Sequence, residues 1–236
     1  MIAAVDAGNS RIKWGLHDGA AWREQGDLPT AEAARMSEIA GRWPDAANIV
    51  ACCVAGRAVE AAIEAAARGR RLRWVRSEAV SAHGLRNGYE RPEQLGADRW
   101  AAMIGARGKT SDACLVVCAG TATTIDWIDA AGNFRGGLIL PGMRLMLAAL
   151  ARNTAGLPYA DGEFREEPRN TMDAIVSGCL HAQAGAIERM FARASAEGPA
   201  RCLLTGGAAH RIAPCLDIPC RLEEMLVLDG LLRCVP

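Results

Sequence analysis

The sequence predicts an α/β protein built from two related halves, and two observations support this prediction. The first is a stretch that occurs twice: residues 5–14 read VDAGNSRIKW, and residues 117–127 read VCAGTATTIDW. With one inserted residue allowed, Ala-Gly, a small polar residue and Ile-x-Trp align in both copies. The second observation is that strand-like and helix-like runs alternate along the chain, which is the pattern of an α/β layer structure.

Each copy of the repeated stretch is predicted to form a strand, a tight glycine turn and a second strand. Such a hairpin suits phosphate binding, because glycine lets the backbone approach an oxygen atom and exposed N–H groups of the turn donate hydrogen bonds to it. Taken alone, either copy is equally consistent with an ordinary β-hairpin. Two copies about one domain length apart favour a pair of turns that grips a nucleotide from both sides.

The remaining elements of the first half follow from hydrophobic periodicity and from a predicted N-cap at Thr30. They are a helix over Ala31–Arg42, a strand over Asn48–Val54, a helix over Arg57–Arg68 and a strand over Leu72–Val75. Turn signals then interrupt the regular pattern as far as Arg91. Residues 92–100 lead into a further predicted helix, over Ala101–Arg107.

A polar break at residues 108–112 separates the two halves. It predicts an N-terminal subdomain over residues 1–110 and a C-terminal subdomain over residues 111–236, related by an internal duplication. The predicted elements of the second half are strands over residues 113–118, 136–142 and 200–204, and helices over residues 143–152, 171–197 and 223–232. The long helix is expected to bend at Ser177-Gly178.

Composition excludes several classes of function. Lys plus Arg and Asp plus Glu number 27 each, so no overall electrostatic attraction to nucleic acid or to an anionic membrane is indicated. The arginines between positions 68 and 76 are interpreted as a solvated surface, with docking of a partner as the alternative. No secretory signal or membrane span is evident, which leads us to expect a cytoplasmic protein. No C-x-x-C pair occurs among the nine cysteines, and most of them are expected to be reduced core residues.

Several short motifs, taken in order, resemble the type III pantothenate kinases, which belong to the actin-like ATPase superfamily. The resemblance covers nearly the whole chain and depends on the order and spacing of these motifs. They are residues 6–10 (DAGNS), Tyr89, residues 96–100 (GADRW), residues 120–126 (GTATTID), Gly136-Gly137, Pro141-Gly142, Thr171-Met172, Ser177-Gly178 and residues 205–207 (TGG). The resemblance implies duplicated actin-like ATPase domains, also called ribonuclease H-like, with mixed sheets flanked by helices.

The resemblance also implies a nucleotide site. At the end of a strand, the carboxylate of Asp6 is suited to hold Mg²⁺ through water molecules against nucleotide phosphates. The alternative role of Asp6 is that of an Asx-turn residue. The other implied ATP-binding residues are Ala7, Gly8, Asn9, Ser10, Arg11, Ile12 and Lys13 in the first hairpin and Thr121 in the second. No P-loop motif occurs in the sequence.

Asp98 is the predicted general base. Phosphorylation of an alcohol needs a carboxylate within hydrogen-bond reach of the attacking hydroxyl, and an acid just before a helix is held rigidly. From the sequence pattern alone, an N-cap or first-turn aspartate favoured by the helix dipole is the better interpretation. The resemblance decides for catalysis, because the family places its catalytic aspartate in this Gly-x-Asp-Arg context. It further implies a pantothenate site formed by Tyr89, Gly96, Ala97, Asp98, Arg99 and Thr171.

Cys118 departs from the family pattern. Much of the family has an aspartate at this position, and that aspartate ligates an activating monovalent cation, K⁺ or NH₄⁺. A neutral thiol is a poor ligand for a hard cation. The cation is therefore expected to be lost, to be held by backbone carbonyls, or to be replaced by another electrostatic arrangement. The resemblance also implies a homodimer with the active site at the subunit interface.

The sequence is compatible with three functions. The first is transfer of phosphate from Mg-ATP to pantothenate, the first step toward coenzyme A. The second is a nucleotide-binding regulatory protein on the same fold, in the manner of family members described as transcriptional accessory factors. The third is a phosphatase or another small-molecule kinase, because a fold does not fix a function. The retained Asp6, Asp98 and Arg99 favour the first, and the four histidines, which show no ligand spacing, are assigned no chemistry.

Overall fold

A computed structural model describes residues 1–43, 48–81 and 83–235. The chain divides into two compact units. The first contains Met1–Lys109 together with the C-terminal residues from Met225 onward, and the second contains Thr110–Glu224. The C-terminal segment therefore corrects the sequence-based division, which assigned residues 111–236 as a whole to the second subdomain.

The strands in chain order are β1 (Ile2–Ala7), β2 (Arg11–His17), β3 (Trp22–Pro29), β4 (Asn48–Cys53), β5 (Leu72–Trp74), β6 (Ala113–Ala119), β7 (Ala122–Ile128), β8 (Phe134–Pro141), β9 (Ala200–Thr205) and β10 (Arg221–Leu222). The α-helices are α1 (Met36–Ala40), α2 (Arg57–Ala66), α3 (Ala97–Arg107), α4 (Met143–Asn153), α5 (Thr171–Ser195), α6 (Ala209–Ile212) and α7 (Leu226–Arg233). Short 3₁₀ turns lie at Thr30–Arg35, Pro92–Gln94 and Ala213–Cys215.

The first unit is built on a five-stranded mixed sheet with the order β3-β2-β1-β4-β5. Strand β1 pairs antiparallel with β2 and parallel with β4. Its central residues Ala3, Ala4 and Val5 are fully buried, as expected of a strand covered on both faces. The short helices α1 and α2 contribute Met36, Ala40, Val59 and Ile63 to the core on one side of this sheet.

Helix α7 belongs to the first unit because it packs closely against α3. At the crossing, a Cβ atom on Gly105 would overlap the carbonyl oxygen of Leu226, and one on Gly230 would overlap that of Ala101. Only glycines allow the two helix backbones to approach this closely. The sequence shows both glycines, but it does not show that the two helices meet.

The second unit repeats the architecture of the first. Its sheet has the order β10-β9-β6-β7-β8, with β6 antiparallel to β7 and parallel to β9. Each strand therefore corresponds to the one five places earlier, and both sheets shift register near the end of the second hairpin strand, at Leu16/His17 and at Trp127/Ile128. Helices α4 and α5 supply core residues against one face. The prediction of duplicated domains with mixed sheets and flanking helices is confirmed.

Several boundaries differ from the sequence-based prediction. The predicted helix over Ala31–Arg42 is a 3₁₀ turn followed by α1, and α3 begins at Ala97 rather than at Ala101. Helix α5 continues through Ser177-Gly178, where a bend was expected. Strand β3 was not predicted, because most of its residues are exposed at a sheet edge and show no apolar alternation. Of the helices that the structure describes, none is long and apolar enough to cross a membrane.

Candidate active site

The turn between β1 and β2 has a defined backbone geometry. The Gly8 N–H donates to the carbonyl of Arg11 at 3.1 Å. Thr30 braces the turn from outside: its hydroxyl donates to the Gly8 carbonyl at 2.7 Å, and its N–H donates to the Ser10 carbonyl at 3.1 Å. The predicted N-cap residue thus fixes the turn and caps no helix by a side-chain hydrogen bond. At the tip of the turn, Asn9 and Ser10 are exposed.

The residues of this segment differ in what they can offer a ligand. Ala7 and Ile12 are fully buried, so their side chains belong to the core and only their backbone faces the turn. Arg11 is exposed and forms an ion pair with Asp27 on β3. Lys13 lies opposite Asp6 in the β1–β2 pairing and is partly buried.

Asp6 lies near the end of the central strand, between charged and polar neighbours. The register places it between Lys13 on β2 and Cys52 on β4. The Cys52 thiol donates to Oδ1 of Asp6, with a sulfur–oxygen distance of 3.5 Å. Burial, followed by the negative charge of Asp98, raises the pKa of Asp6 to about 6, while the bond from Cys52 and the charge of Lys13 act in the opposite direction. The two carboxylates thus lie near each other.

Cys52 is itself fully buried. Burial raises the pKa of its thiol well above the ordinary value, and the charges of Asp6 and Asp98 add to the effect. The sulfur therefore keeps its proton and can donate it in a hydrogen bond. The sequence predicted only that Cys52 is a reduced core residue. A thiol in an apolar strand does not reveal which residue of the adjacent strand it contacts.

Asp98 lies in the first turn of α3, whose N-cap is Gly96. This position corrects the expectation that the acid precedes the helix. Its Oδ1 accepts from the N–H of Arg99 at 2.8 Å. A Cβ atom on Gly96 would lie 2.6 Å from the same oxygen, so the absence of a side chain at Gly96 leaves room for the carboxylate. A first-turn position also benefits from the helix dipole.

Arg99 and Tyr89 are in direct contact. The guanidinium Nη1 donates to the Tyr89 hydroxyl at 3.0 Å, and the guanidinium carbon Cζ lies 5.7 Å from the centre of the Tyr89 ring. Arg99 is 5% exposed. The Asn87 side chain supports the tyrosine by accepting from the Tyr89 N–H at 3.0 Å and by donating to the Pro92 carbonyl at 3.1 Å. The structure therefore brings together two predicted substrate residues that are ten positions apart.

In the second unit, two glycine corners hold the turn between β6 and β7. The Gly142 N–H donates to the Thr121 carbonyl at 3.0 Å. A Cβ atom on Gly142 would lie 2.5 Å from that carbonyl oxygen and would overlap the one of Gly120. At the other corner Gly206 has φ of +98°, and a Cβ atom there would lie 2.5 Å from the Ala119 carbonyl oxygen. Thr121 remains exposed at the tip.

A buried glutamine supports the first of these corners. Gln183 on α5 is fully buried, and its Nε2 donates to the Pro141 carbonyl at 2.7 Å. Helix α5 also carries Thr171 in its first turn, where Asn170 caps it by accepting from the Asp173 N–H at 2.9 Å. Sequence reasoning missed Gln183, because nothing in a helical pattern distinguishes a buried glutamine from an exposed one.

Thr171 lies at the edge of an apolar groove within the second unit. The groove has a volume of about 640 Å³. Pro141, helix α4, the segment after α4 and helix α5 line the groove. Besides Pro141, the lining residues are Met146, Ala149, Leu150, Leu157, Thr171, Ala174, Ile175, Gly178 and Cys179.

Comparison with known proteins decides the family. The model of the type III pantothenate kinase family matches residues 2–193. A type III pantothenate kinase of Aromatoleum aromaticum is 52% identical over 98% of this chain and 96% of its own length. One of Dechloromonas aromatica is 48% identical over 98% of this chain and 97% of its own length. The chain belongs to the type III pantothenate kinase family.

Solved structures agree at the level of the fold. A Campylobacter jejuni protein described as a Baf family transcriptional activator superposes with a TM-score of 0.66 at 19% identity, over 98% of this chain and 96% of that protein. A protein of Sinorhizobium meliloti described as a 2-dehydro-3-deoxygalactonokinase superposes with a TM-score of 0.61 at 14% identity. The superposition covers 99% of this chain and 97% of that protein. At these identities the likeness shows the actin-like fold alone.

The residues of the first unit that the family resemblance implicates fall into two groups. In one, Asp98 is near enough for its charge to add to burial in raising the pKa of Asp6, and in the other Tyr89 contacts Arg99. A nearby pair of carboxylates, one with a raised pKa, suits a divalent cation, because a positive charge offsets the repulsion between them. The chemistry of Asp6 is therefore compatible with a divalent cation, and its water-mediated Mg²⁺ role stays a prediction.

Residue 118, the position at which the resemblance implies a ligand for a monovalent cation, carries no carboxylate. Cys118 is partly buried and lies between Thr124 and Thr205 in the sheet register. The Thr124 hydroxyl is buried, without a hydrogen-bond partner in the part of the chain that the structure describes. This position therefore offers hydroxyls and a thiol, and it lacks the carboxylate that a hard cation prefers.

Proposed function

We propose that this chain transfers the γ-phosphoryl group of Mg-ATP to the 4′-hydroxyl of pantothenate, giving ADP and 4′-phosphopantothenate in the first step of coenzyme A biosynthesis. The observation that carries this function is the family match along the chain, with relatives of 41–52% identity named type III pantothenate kinase. Those names do not favour the regulatory alternative.

Asp98 is the general base of the proposed reaction. Its carboxylate accepts the proton of the substrate hydroxyl as the hydroxyl oxygen attacks the γ-phosphorus, and ADP leaves with the electrons of the broken bond. Gly96 and the Arg99 N–H hold that carboxylate at the start of α3, which restricts its orientation. A fixed orientation is what a proton acceptor needs, because reaction geometry contributes much of the rate.

Asp6 holds Mg²⁺ through water in this proposal. When bound, the ion neutralises charge on the β- and γ-phosphates. The first turn, whose shape is set by Gly8, supplies the backbone N–H groups of Asn9 and Ser10, and Lys13 adds a positive charge. Thr121 contributes from the second turn.

The proposed pantothenate site consists of Tyr89, Gly96, Ala97, Asp98, Arg99 and Thr171. The guanidinium of Arg99 is held in place by Tyr89, and it carries the positive charge that a carboxylate substrate requires. A monovalent cation, if it acts here, binds without a carboxylate at position 118. We further propose that the enzyme is a cytoplasmic homodimer whose substrate site is completed at the subunit interface, and that it requires neither nucleic acid nor a membrane.

A coupled assay of ADP release tests this function. Mg-ATP is supplied with and without pantothenate, first in sodium buffer and then with added K⁺ or NH₄⁺. Pantothenate-dependent release of ADP is expected. Folded protein that releases no additional ADP with pantothenate under any of these conditions would refute the proposal.

A further inference from the structure

The environment of Asp6 contains one contact that the proposed chemistry leaves unused. Cys52 is the neighbour of Asp6 on the parallel strand β4, and side chains paired across neighbouring strands point to the same side of a sheet. Its sulfur lies 3.5 Å from Asp6 Oδ1. Cys52 is fully buried, so two packed strands set the direction of this contact.

The chemistry of the two groups defines which one donates. An ionised carboxylate only accepts hydrogen bonds, and a neutral thiol carries a single S–H donor. A donor fixed by the sheet restrains the rotation of the carboxylate that accepts from it. Partners that orient a metal-binding carboxylate commonly alter metal affinity or activity by roughly 10- to 100-fold when they are removed.

We propose that Cys52 is a positioning residue for the nucleotide-bound metal: its S–H bond to Oδ1 holds the Asp6 carboxylate in the orientation that receives the hydrated Mg²⁺. This inference rests on the proposed function of Asp6. Cys52 touches neither substrate nor metal and acts only through Asp6.

The next residue provides a matched control. Cys53 belongs to the same strand, but its side chain points to the opposite side of the sheet, where its sulfur contacts the Gly56 carbonyl at 3.8 Å. Replacement of Cys53 thus tests the general effect of losing a thiol from the end of β4. It does not change the hydrogen bond to Asp6.

The test compares Cys52→Ala, Cys52→Ser and Cys53→Ala with the parent protein. Binding of Mn²⁺ in the presence of ADP is measured by the loss of the free-ion signal in electron paramagnetic resonance, and thermal denaturation verifies folding. Cys52→Ala is expected to weaken Mn²⁺ binding by about 3- to 10-fold, at or below the lower end of the range for such partners because a thiol is a weak donor. Cys53→Ala is expected to match the parent.

Cys52→Ser separates positioning from packing. A hydroxyl restores a donor, so Mn²⁺ affinity is expected to return to within about 2-fold of the parent. In a purely packing role the serine would gain nothing over alanine, because it places a polar group in a buried apolar strand. Serine and alanine variants with equal Mn²⁺ affinity would overturn the inference, as would a Cys52→Ala variant that binds like the parent.

Kinetics on the same variants give a second measure. The Mg²⁺ concentration for half-maximal ADP release should rise in Cys52→Ala, with a smaller change in kcat. If the parent binds Mn²⁺ and ADP but does not turn over pantothenate, the proposed function fails while the binding series still decides the role of Cys52. A parent that binds no Mn²⁺ with ADP would overturn the inference itself.

Discussion

The two hairpins have the same backbone arrangement but place different chemistry at the same position. Asp6 and Cys118 are each the next-to-last residue of the central strand, β1 or β6. The neighbours of Asp6 are Lys13 and Cys52, whereas those of Cys118 are Thr124 and Thr205. The duplicated fold thus supplies two similar turns, and side chains make only the first one strongly charged.

The turns also differ in how they are braced. A threonine hydroxyl holds the first turn, through its bond to the Gly8 carbonyl. Glycine corners at Gly142 and Gly206 hold the second by close backbone contact. A hydrogen bond tolerates small displacements, whereas a contact without room for a Cβ atom does not. We therefore expect the second turn to be the more sensitive of the two to added volume.

The largest effect is expected from Asp98→Asn, which removes the base from the first unit. An amide has no capacity to take the proton of the attacking hydroxyl, so kcat should fall by about 10²- to 10⁴-fold. Thermal denaturation and ATP binding serve as controls and should remain close to the parent. Turnover near the parental rate would exclude Asp98 as the base.

Gly142→Ala should give the next largest effect, because the added methyl group would overlap the Gly120 carbonyl and move the second turn. The KM for ATP is expected to rise by roughly one to two orders of magnitude. Gly185→Ala is the matched control, since no neighbouring atom lies within 4 Å of the place that its Cβ atom would take on α5. Gly8→Ala should be milder, with its nearest contact 3.3 Å away at the Arg11 carbonyl. Equal KM values for all three variants would contradict this ranking.

Asp6→Asn should stabilise the protein that lacks metal and nucleotide. The pKa of Asp6 is raised from 3.8 to about 6, so its ionised form is disfavoured by folding. The resulting loss of folding free energy is absent well below pH 3.8. It grows as the pH rises from 3.8 to about 6 and is complete above pH 6. Above pH 6 the variant should exceed the parent by about 1–3 kcal/mol in free energy of unfolding.

Urea unfolding at several pH values in the presence of a chelator measures this difference. The two proteins should converge at about pH 3, where the parental carboxyl is mostly protonated in both the folded and the unfolded state. A difference that does not change with pH would show that the carboxylate is not disfavoured in the folded protein.

Cys118→Asp addresses the second turn and should have the smallest effect. A carboxylate at this position supplies the hard oxygen ligand that the thiol lacks, so ADP release should gain a several-fold larger response to K⁺ over Na⁺. Cys118→Ser is the control, because it is polar but uncharged. If Cys118→Asp and the parent respond identically to K⁺, this position does not govern the cation requirement.

Local patterns predicted the parts of the site that lie within single segments. Glycine and small polar residues indicated both turns, and the role of Asp98 as base stays a prediction from the family resemblance of its Gly-x-Asp-Arg context. Strand β3 and the 3₁₀ turn at Thr30–Arg35 escaped prediction, because an exposed edge strand shows no apolar alternation and a short turn resembles the start of a helix. The role of Thr30 depended on its contact with Gly8, which sequence order does not show.

The sequence by itself determined the duplicated α/β architecture, the two turns and the types of side chain available to them, because these follow from periodicity and turn chemistry within short segments. Only the tertiary structure decided which distant residues meet. Strand register placed Cys52 beside Asp6, burial and then the charge of Asp98 raised the pKa of Asp6, and close backbone packing joined α7 to α3. Such contacts depend on how strands pair and helices pack across long stretches of chain, and local sequence patterns carry little information about either.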